Sequence, residues 1–185
     1  LQVLMTDLMA TSLDSSQMSL VRSLSSLSSA EATQARYLSW LLELIEGHQV
    51  SMSTSFDLNA MIAEIFQQHA NAASENGVVV QKHIAIDLPK SFVGDPPITA
   101  RLLDLLLQII CSRAISSILQ FKAQMGLGGL QVDLVSSRAR ESNIGILEKC
   151  LIEKMVRYLD ADFRIQTSTE SGDWFALTLP LKKSV

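Results

Sequence analysis

A long leucine stripe near the N-terminus constrains the fold of this chain more than any other feature. Between about residues 16 and 46, apolar side chains recur at one-turn spacing, and Gly47 follows as a natural helix end. A helix of that length spans about 45 Å, whereas the helical pattern that begins at Leu1 stops near residue 12. So short a partner cannot bury the whole stripe, and a second copy of the long helix is the simplest surface that can.

The stripe therefore predicts a helical hairpin at residues 1–47 that forms a four-helix bundle in a homodimer. Its expected dimer interface is Leu20, Leu24, Leu38, Leu41, Leu42 and Ile45. The serine-rich middle of the helix, residues 23–29, has weak helix propensity, and we interpret it as a loosely packed segment.

After the hairpin, the sequence pattern changes to a mixture of helices and strands. Residues 48–55 are polar and unpatterned, which is typical of a linker. Residues 56–185 follow with helices that begin at Asp57, at Pro96 and near residue 144. Strands are predicted at 78–86, in a short apolar stretch that ends at Gly94, at 128–135 and on both sides of a turn at 170–173. This order predicts an α+β fold, in which a helical hairpin precedes a two-layer α/β sandwich.

Composition excludes several functional classes. The 185 residues are 48% hydrophobic with a formal charge of -4 and no basic block, which argues against a nucleic-acid surface. The longest apolar run, from Leu102 to Cys111, contains Asp104 and Gln108, so no membrane span is expected. No signal peptide is apparent, and Cys111 and Cys150 fit free thiols in a reducing compartment. We therefore expect a cytoplasmic protein.

Three short motifs carry a family resemblance that covers essentially the whole chain. They are Phe56-Asp57-Leu58, Gly94-Asp95-Pro96 before the long apolar helix, and the closing run from Trp174 to Leu181. In this order and spacing they resemble the core of a sensor histidine kinase. That resemblance implies a dimerising hairpin, an ATP-binding sandwich of the gyrase and histidine-kinase type, and a response-regulator receiver domain as partner.

The helix after Gly94-Asp95-Pro96 departs from the family pattern. The family places asparagines one turn apart on this helix, and one of them coordinates Mg²⁺ on the ATP phosphates. In the register we prefer, Gln108 and Ser112 occupy those places, and a shift by one residue gives Ile109 and Arg113. A serine hydroxyl is a weaker Mg²⁺ ligand than an asparagine, and an arginine would repel the ion.

The strand that follows Gly128-Gly129 departs as well. The family ends it with an aspartate that accepts a hydrogen bond from adenine and with a glycine two residues later. Those places hold Ser136 and Arg138 here, and we interpret Asp133 as a solvated strand residue. About ten residues, 136–145, replace the family's glycine-rich lid, and Gly145 is the only glycine among them. The sequence therefore predicts vestigial positions at Gln108, Ser112, Ser136 and Arg138, with no bound cofactor and no metal.

The phospho-acceptor histidine that the resemblance implies is not among the histidines of this sequence. His48 lies in the linker, His69 on the first sandwich helix and His83 on a strand, and we interpret each as an ordinary surface or edge residue. If an acceptor exists, it is expected just before Leu1. No catalytic residue is therefore assigned within the sequence.

Three hypotheses remain open. The first is a histidine-kinase-like protein that has lost ATP chemistry and serves as a dimeric phosphotransfer or regulatory element, so that enzymatic activity is uncertain. The second is an active sensor kinase whose acceptor motif and lid are missing from the sequence. The third is a dimeric interaction module without phosphate chemistry. The residues before Leu1 would discriminate them best.

Overall fold

The computed structural model describes residues 15–46, 53–141 and 143–184. Residues 15–46 belong to one compact unit, and the residues from 53 onward belong to a second. The predicted first hairpin helix and most of the predicted linker lie outside the described residues. The four-helix bundle therefore stays a prediction.

The first unit contains α1, an unbroken helix at Ser15–Glu46, which agrees with the predicted range of 16–46. Most of the predicted interface side chains are more than half exposed: Leu20 65%, Leu24 54%, Leu38 51%, Leu42 57% and Ile45 60%. Leu41 is half-buried. The stripe thus offers an apolar surface on this helix.

Within the described residues, the second unit contains three helices and eight strands. In chain order they are β1 (Thr54–Asp57), α2 (Leu58–Glu75), β2 (Val79–Ile84), β3 (Ser91–Gly94), α3 (Pro96–Arg113), β4 (Ile118–Gly126), β5 (Gly129–Ser136), α4 (Ile146–Tyr158), β6 (Asp162–Ser168), β7 (Gly172–Leu179) and β8 (Lys182–Lys183). This confirms the predicted α+β fold. β1 begins inside the range that we expected to be linker.

The strands form two sheets. A five-stranded sheet has the order β2-β4-β5-β7-β6, and a small one has the order β1-β3-β8. In the large sheet, β2 is parallel to β4 and the other neighbours are antiparallel. Strands β2 and β6 are therefore its free edges.

The core lies between the large sheet and the helices. Leu130, Val132 and Leu134 of β5 are buried on one face, as their alternation predicts. Helix α2 contributes an aromatic contact, because the Phe66 ring lies 5.1 Å from the Phe121 ring in an edge-on arrangement. Each buried leucine stabilises the fold by about 2 kcal/mol.

Aspartate caps fix the starts of α2 and α3. Asp57 Oδ1 accepts a hydrogen bond from Ala60 N at 3.0 Å, and Asp95 Oδ1 accepts one from Ile98 N at 3.1 Å. Tyr158 Oη donates to the second Asp95 oxygen at 3.0 Å, which ties the end of α4 to the start of α3. These contacts set the direction in which α3 runs. Within the described ranges, no helix combines the length and apolarity that crossing a membrane requires.

Candidate functional site

The candidate site lies where the end of α3 meets the start of β7. Arg113 is the last residue of α3, and its side chain contacts Asp173 in β7. Arg113 Nε donates to Asp173 Oδ2 at 2.6 Å, and Nη2 donates to Oδ1 at 3.2 Å. The two side chains are only 7% and 0% exposed. They form a bidentate ion pair, the strongest common geometry for these groups.

Ser136, the last residue of β5, completes this arrangement. It is fully buried, and its Oγ accepts a hydrogen bond from the Asp173 backbone N–H at 3.0 Å. Gly172 has a φ of 81°, and a Cβ on it would stand 1.8 Å from the Ser136 carbonyl oxygen. A glycine is therefore required where β7 approaches β5. We call Arg113, Ser136 and Asp173 the Arg113 cluster.

The segment between β5 and α4 is attached to the end of α3. Arg140 N donates to the Arg113 carbonyl at 2.7 Å, and Ala139 forms a β-bridge with Ala114. The Arg140 guanidinium donates to Asn76 Oδ1 at 3.0 Å, next to the end of α2. The described part of this segment therefore packs against the Arg113 cluster.

The N-terminus of α4 is occupied by a carboxylate of its own first turn. Gly145 is the N-cap, and its backbone N–H donates to Glu148 Oε2 at 2.6 Å. A helix N-terminus can bind a phosphate because its free N–H groups and its dipole favour negative charge. Here Glu148 already supplies that charge and would repel a second anion.

The structure brings only one of the four predicted vestigial residues into the cluster. Ser136 lies there, whereas Ser112 is exposed and its Oγ donates back to the Ile109 carbonyl at 2.8 Å. Gln108 is half-buried within α3, and Arg138 is exposed in the segment after β5. Arg113, from the alternative register, is the α3 residue that reaches Ser136's neighbour Asp173.

Asp173 is the site residue that the sequence analysis missed. It appeared only as part of the turn at 170–173, with no partner assigned. A signal was available in principle, because Asp173 is in phase with Phe175 and Leu177, which face the core in the alternating pattern of β7. Its partner is 60 positions away in the sequence.

One other sequence interpretation needs correction. His69 was expected to be an ordinary surface or edge residue, yet its Nε2 lies 2.7 Å from Asp104 Oδ1 with side chains only 14% and 12% exposed. It links α2 to α3, because α2 places it against the one acidic residue of α3. Asp133, expected to be a solvated strand residue, is partly exposed on the outward side of β5, where its Oδ1 accepts an exposed hydrogen bond from Trp174 Nε1 at 3.2 Å. His83 is exposed, and His48 lies outside the described residues.

The cysteines are free thiols, as predicted. Cys111 is buried on α3, and burial raises the pKa of its thiol to about 11. A thiol that stays protonated near neutral pH is a poor nucleophile and a poor metal ligand. Across the described residues, no group of three or more His, Cys, Asp or Glu side chains is positioned to hold a metal ion.

Comparison with known proteins gives structural matches alone. No protein-family model and no curated protein matches the chain. The histidine kinase AdeS of Acinetobacter baumannii superposes with a TM-score of 0.65 at 10% identity, covering 91% of this chain and 86% of AdeS. Full-length ShkA in complex with AMPPNP gives 0.72 at 11% identity, over 95% of this chain and 41% of ShkA. The catalytic domain of histidine kinase ThkA gives 0.58 at 13% identity, over 69% and 96%.

These likenesses agree on one architecture. The ThkA catalytic domain matches over nearly its whole length, and AdeS and ShkA match over nearly all of this chain. At such low identities the likeness defines a fold and transfers no activity. The chain therefore has a histidine-kinase-like core.

Proposed function

We propose that this chain is a two-component signalling protein whose histidine-kinase-like core does not use Mg-ATP. It acts as a dimeric phosphotransfer or regulatory element toward a response-regulator receiver domain. The observation that supports this most is the buried Arg113–Asp173 ion pair, hydrogen-bonded to Ser136 at the end of β5.

Adenine recognition is the first function that these residues fail to support. The family resemblance places the adenine-binding carboxylate at Ser136, which has a neutral hydroxyl that already accepts the Asp173 N–H. Losing a charge-assisted hydrogen bond costs about 1.5–3 kcal/mol. A buried hydroxyl engaged in the core therefore cannot replace that acceptor.

Metal binding is the second function that these residues fail to support. In the alternative register, the family's Mg²⁺-binding asparagine corresponds to Arg113, whose guanidinium is buried and paired with Asp173. A guanidinium has no lone pair to offer a divalent ion, and its pairing with Asp173 also engages the carboxylate beside it. In the preferred register the residue is Ser112, and its hydroxyl bonds to its own helix.

Phosphate binding is the third function that these residues fail to support. Glu148 holds the Gly145 N–H at the start of α4, and its negative charge opposes a triphosphate. The described residues between β5 and α4 pack on the end of α3. These three arguments rest on different residues and favour the same conclusion.

Nucleotide-dependent melting tests this proposal. A ligand at 100 times its Kd stabilises the folded state by about 2.7 kcal/mol, so about 10 mM Mg-ATP would raise the melting temperature if the Kd were about 100 µM. We expect no change beyond that caused by matched Mg²⁺ and sodium sulfate. A nucleotide-specific rise would favour the alternative of an active kinase.

The signalling partners follow from the exposed stripe on α1. Its leucines are available for a second copy of the chain, and a bundle of hairpins would carry a phospho-acceptor histidine just before Leu1 if one is present. Mixing the gene-encoded full-length protein with a phosphorylated receiver domain tests this part separately. Transfer of phosphate to the protein supports a phosphotransfer role, and its absence leaves the regulatory role.

A further inference from the structure

A groove on the second unit, which shares no lining residue with the Arg113 cluster, lies between α2 and the edge strand β2. Its volume is about 400 Å³. Phe66, Ala70 and Ala73 line it from α2, Val80 and Lys82 line it from β2, and Val78 lines it just before the strand begins. Small side chains on α2 keep the helix from filling the space beside the strand. The groove is therefore open along the strand and largely apolar.

Every second residue of β2 directs its backbone N–H and C=O groups away from β4. Val79 N donates to the Ser117 carbonyl and Ala85 N to the Ala123 carbonyl, both at 2.9 Å, so these residues bond toward β4. Since N–H and C=O groups alternate in direction along a strand, those of Val80 and Lys82 point to the free edge. An edge of this kind can pair with an added strand.

One charge lies in the groove. Lys82 Nζ stands 4.4 Å from the centroid of the Phe66 ring, and the lysine forms no ion pair with any residue of the described ranges. The other lining side chains are apolar or neutral. A ligand that enters here would meet an unpaired cation on an apolar floor, and a carboxylate is the group that complements it.

We propose that this groove binds an extended acidic segment of a partner protein, which adds as a strand beside β2. Its main chain bonds to the outward groups of Val80 and Lys82, small apolar side chains fill the space at Phe66 and Ala70, and a carboxylate pairs with Lys82. This role is independent of nucleotide and goes beyond the proposed phosphotransfer function. The competing explanation is that Lys82 only protects a free edge from pairing.

The test uses a seven-residue peptide with blocked termini and the sequence Ser-Val-Ser-Glu-Ser-Val-Ser. In an extended strand, its two valines and its glutamate share one face. A matched peptide carries lysine in place of glutamate. We expect saturable amide shifts at Val80 and Lys82 in NMR spectra of the full chain, with at least tenfold tighter binding of the glutamate peptide. Equal binding of the two peptides, or no saturable shift with either, would overturn the proposal.

Two variants separate charge from main-chain recognition. Lys82→Glu should reverse the preference, so that the lysine peptide binds more tightly. Val80→Pro removes an outward N–H that β4 does not use, and should abolish binding while circular dichroism stays unchanged. If Val80→Pro does not fold, a glutamate peptide with methylated edge-facing amides replaces it. If the Val80→Pro variant, or the parent with the methylated peptide, binds as tightly as the original pair, no strand is added at β2. If Lys82→Glu still prefers the glutamate peptide, the proposal is overturned as well.

Discussion

Arg113 and Asp173 join the end of α3 to the start of β7 through two hydrogen bonds, of 2.6 and 3.2 Å, between fully paired and buried charges. Burying two charges is costly unless each satisfies the other, and the bidentate geometry achieves this. The pair therefore occupies the centre of the candidate site with a fixed structure that needs no ligand.

Removing one partner of this pair should be strongly destabilising. Asp173→Ala leaves the Arg113 guanidinium buried without its counter-charge, and we expect a loss of about 3–5 kcal/mol in the free energy of unfolding. Urea titration measures it. The matched double variant Arg113→Met, Asp173→Leu should recover most of that loss, because it removes both charges. A single variant as stable as the parent would contradict the buried pair.

Gly172→Ala should also destabilise the second unit. Its φ of 81° alone costs an L-residue about 1–2 kcal/mol, and the added Cβ would meet the Ser136 carbonyl oxygen at 1.8 Å. Gly128→Ala is the control, since its Cβ would lie 3.3 Å from Thr178 Cγ2 with no such φ. Both are compared by urea titration. Equal losses in the two variants would argue against close contact between β7 and β5.

Sequence patterns predicted most of the second unit because its periodicities are local. The caps at Asp57 and Asp95 and the alternation of β5 needed only neighbouring residues. β1, β4 and β8 were not predicted. β1 and β8 are short and exist through pairing with β3, which no local pattern reveals. In β4, Leu119, Phe121 and Ala123 alternate inward, but the strand starts soon after the apolar α3 and resembles its continuation.

The candidate site was harder to predict because it depends on distant contacts. Ser136 was identified through its place at the end of β5, where sequence position alone defines it. Arg113 appeared only as an alternative, since a one-residue shift on a helix changes which side chain reaches the site. Asp173 could not be assigned a role without knowing that β7 lies beside β5.

The stability of the protein should depend on Cys111 at high pH. Burial raises the pKa of this thiol from 9.0 to about 11, so the unfolded chain loses the proton first. Between those pH values the unfolded state binds fewer protons, and stability falls as pH rises, by at most about 1.4 kcal/mol per pH unit. Urea titrations from pH 8 to 11 on the parent and on Cys111→Ala isolate this slope. The same slope in both proteins would contradict it.

Charges on the α1 stripe should prevent self-association. Leu42 is 57% exposed and Leu41 half-buried on this helix, so Leu41→Asp, Leu42→Asp would place carboxylates in the predicted bundle core. We expect the parent to sediment as a dimer at micromolar concentration and the variant as a monomer. Ala32→Asp, Ser39→Asp adds the same charge at exposed positions off the stripe and should stay dimeric. Identical sedimentation of all three proteins would refute this interface.

Calorimetric titration with Mg-ATP tests the central claim most directly. Under the proposed function, Ser136 lacks the charge of an adenine acceptor, Arg113 offers no metal ligand and Glu148 opposes the phosphates. Each tenfold loss in affinity corresponds to about 1.4 kcal/mol. Two losses of about 1.5–3 kcal/mol each would weaken a micromolar site by about 10²–10⁴-fold, to about 0.1–10 mM. We predict no saturable heat when Mg-ATP is titrated into the protein. A saturable isotherm with a Kd below about 100 µM would contradict the claim and identify the chain as a nucleotide-binding kinase core.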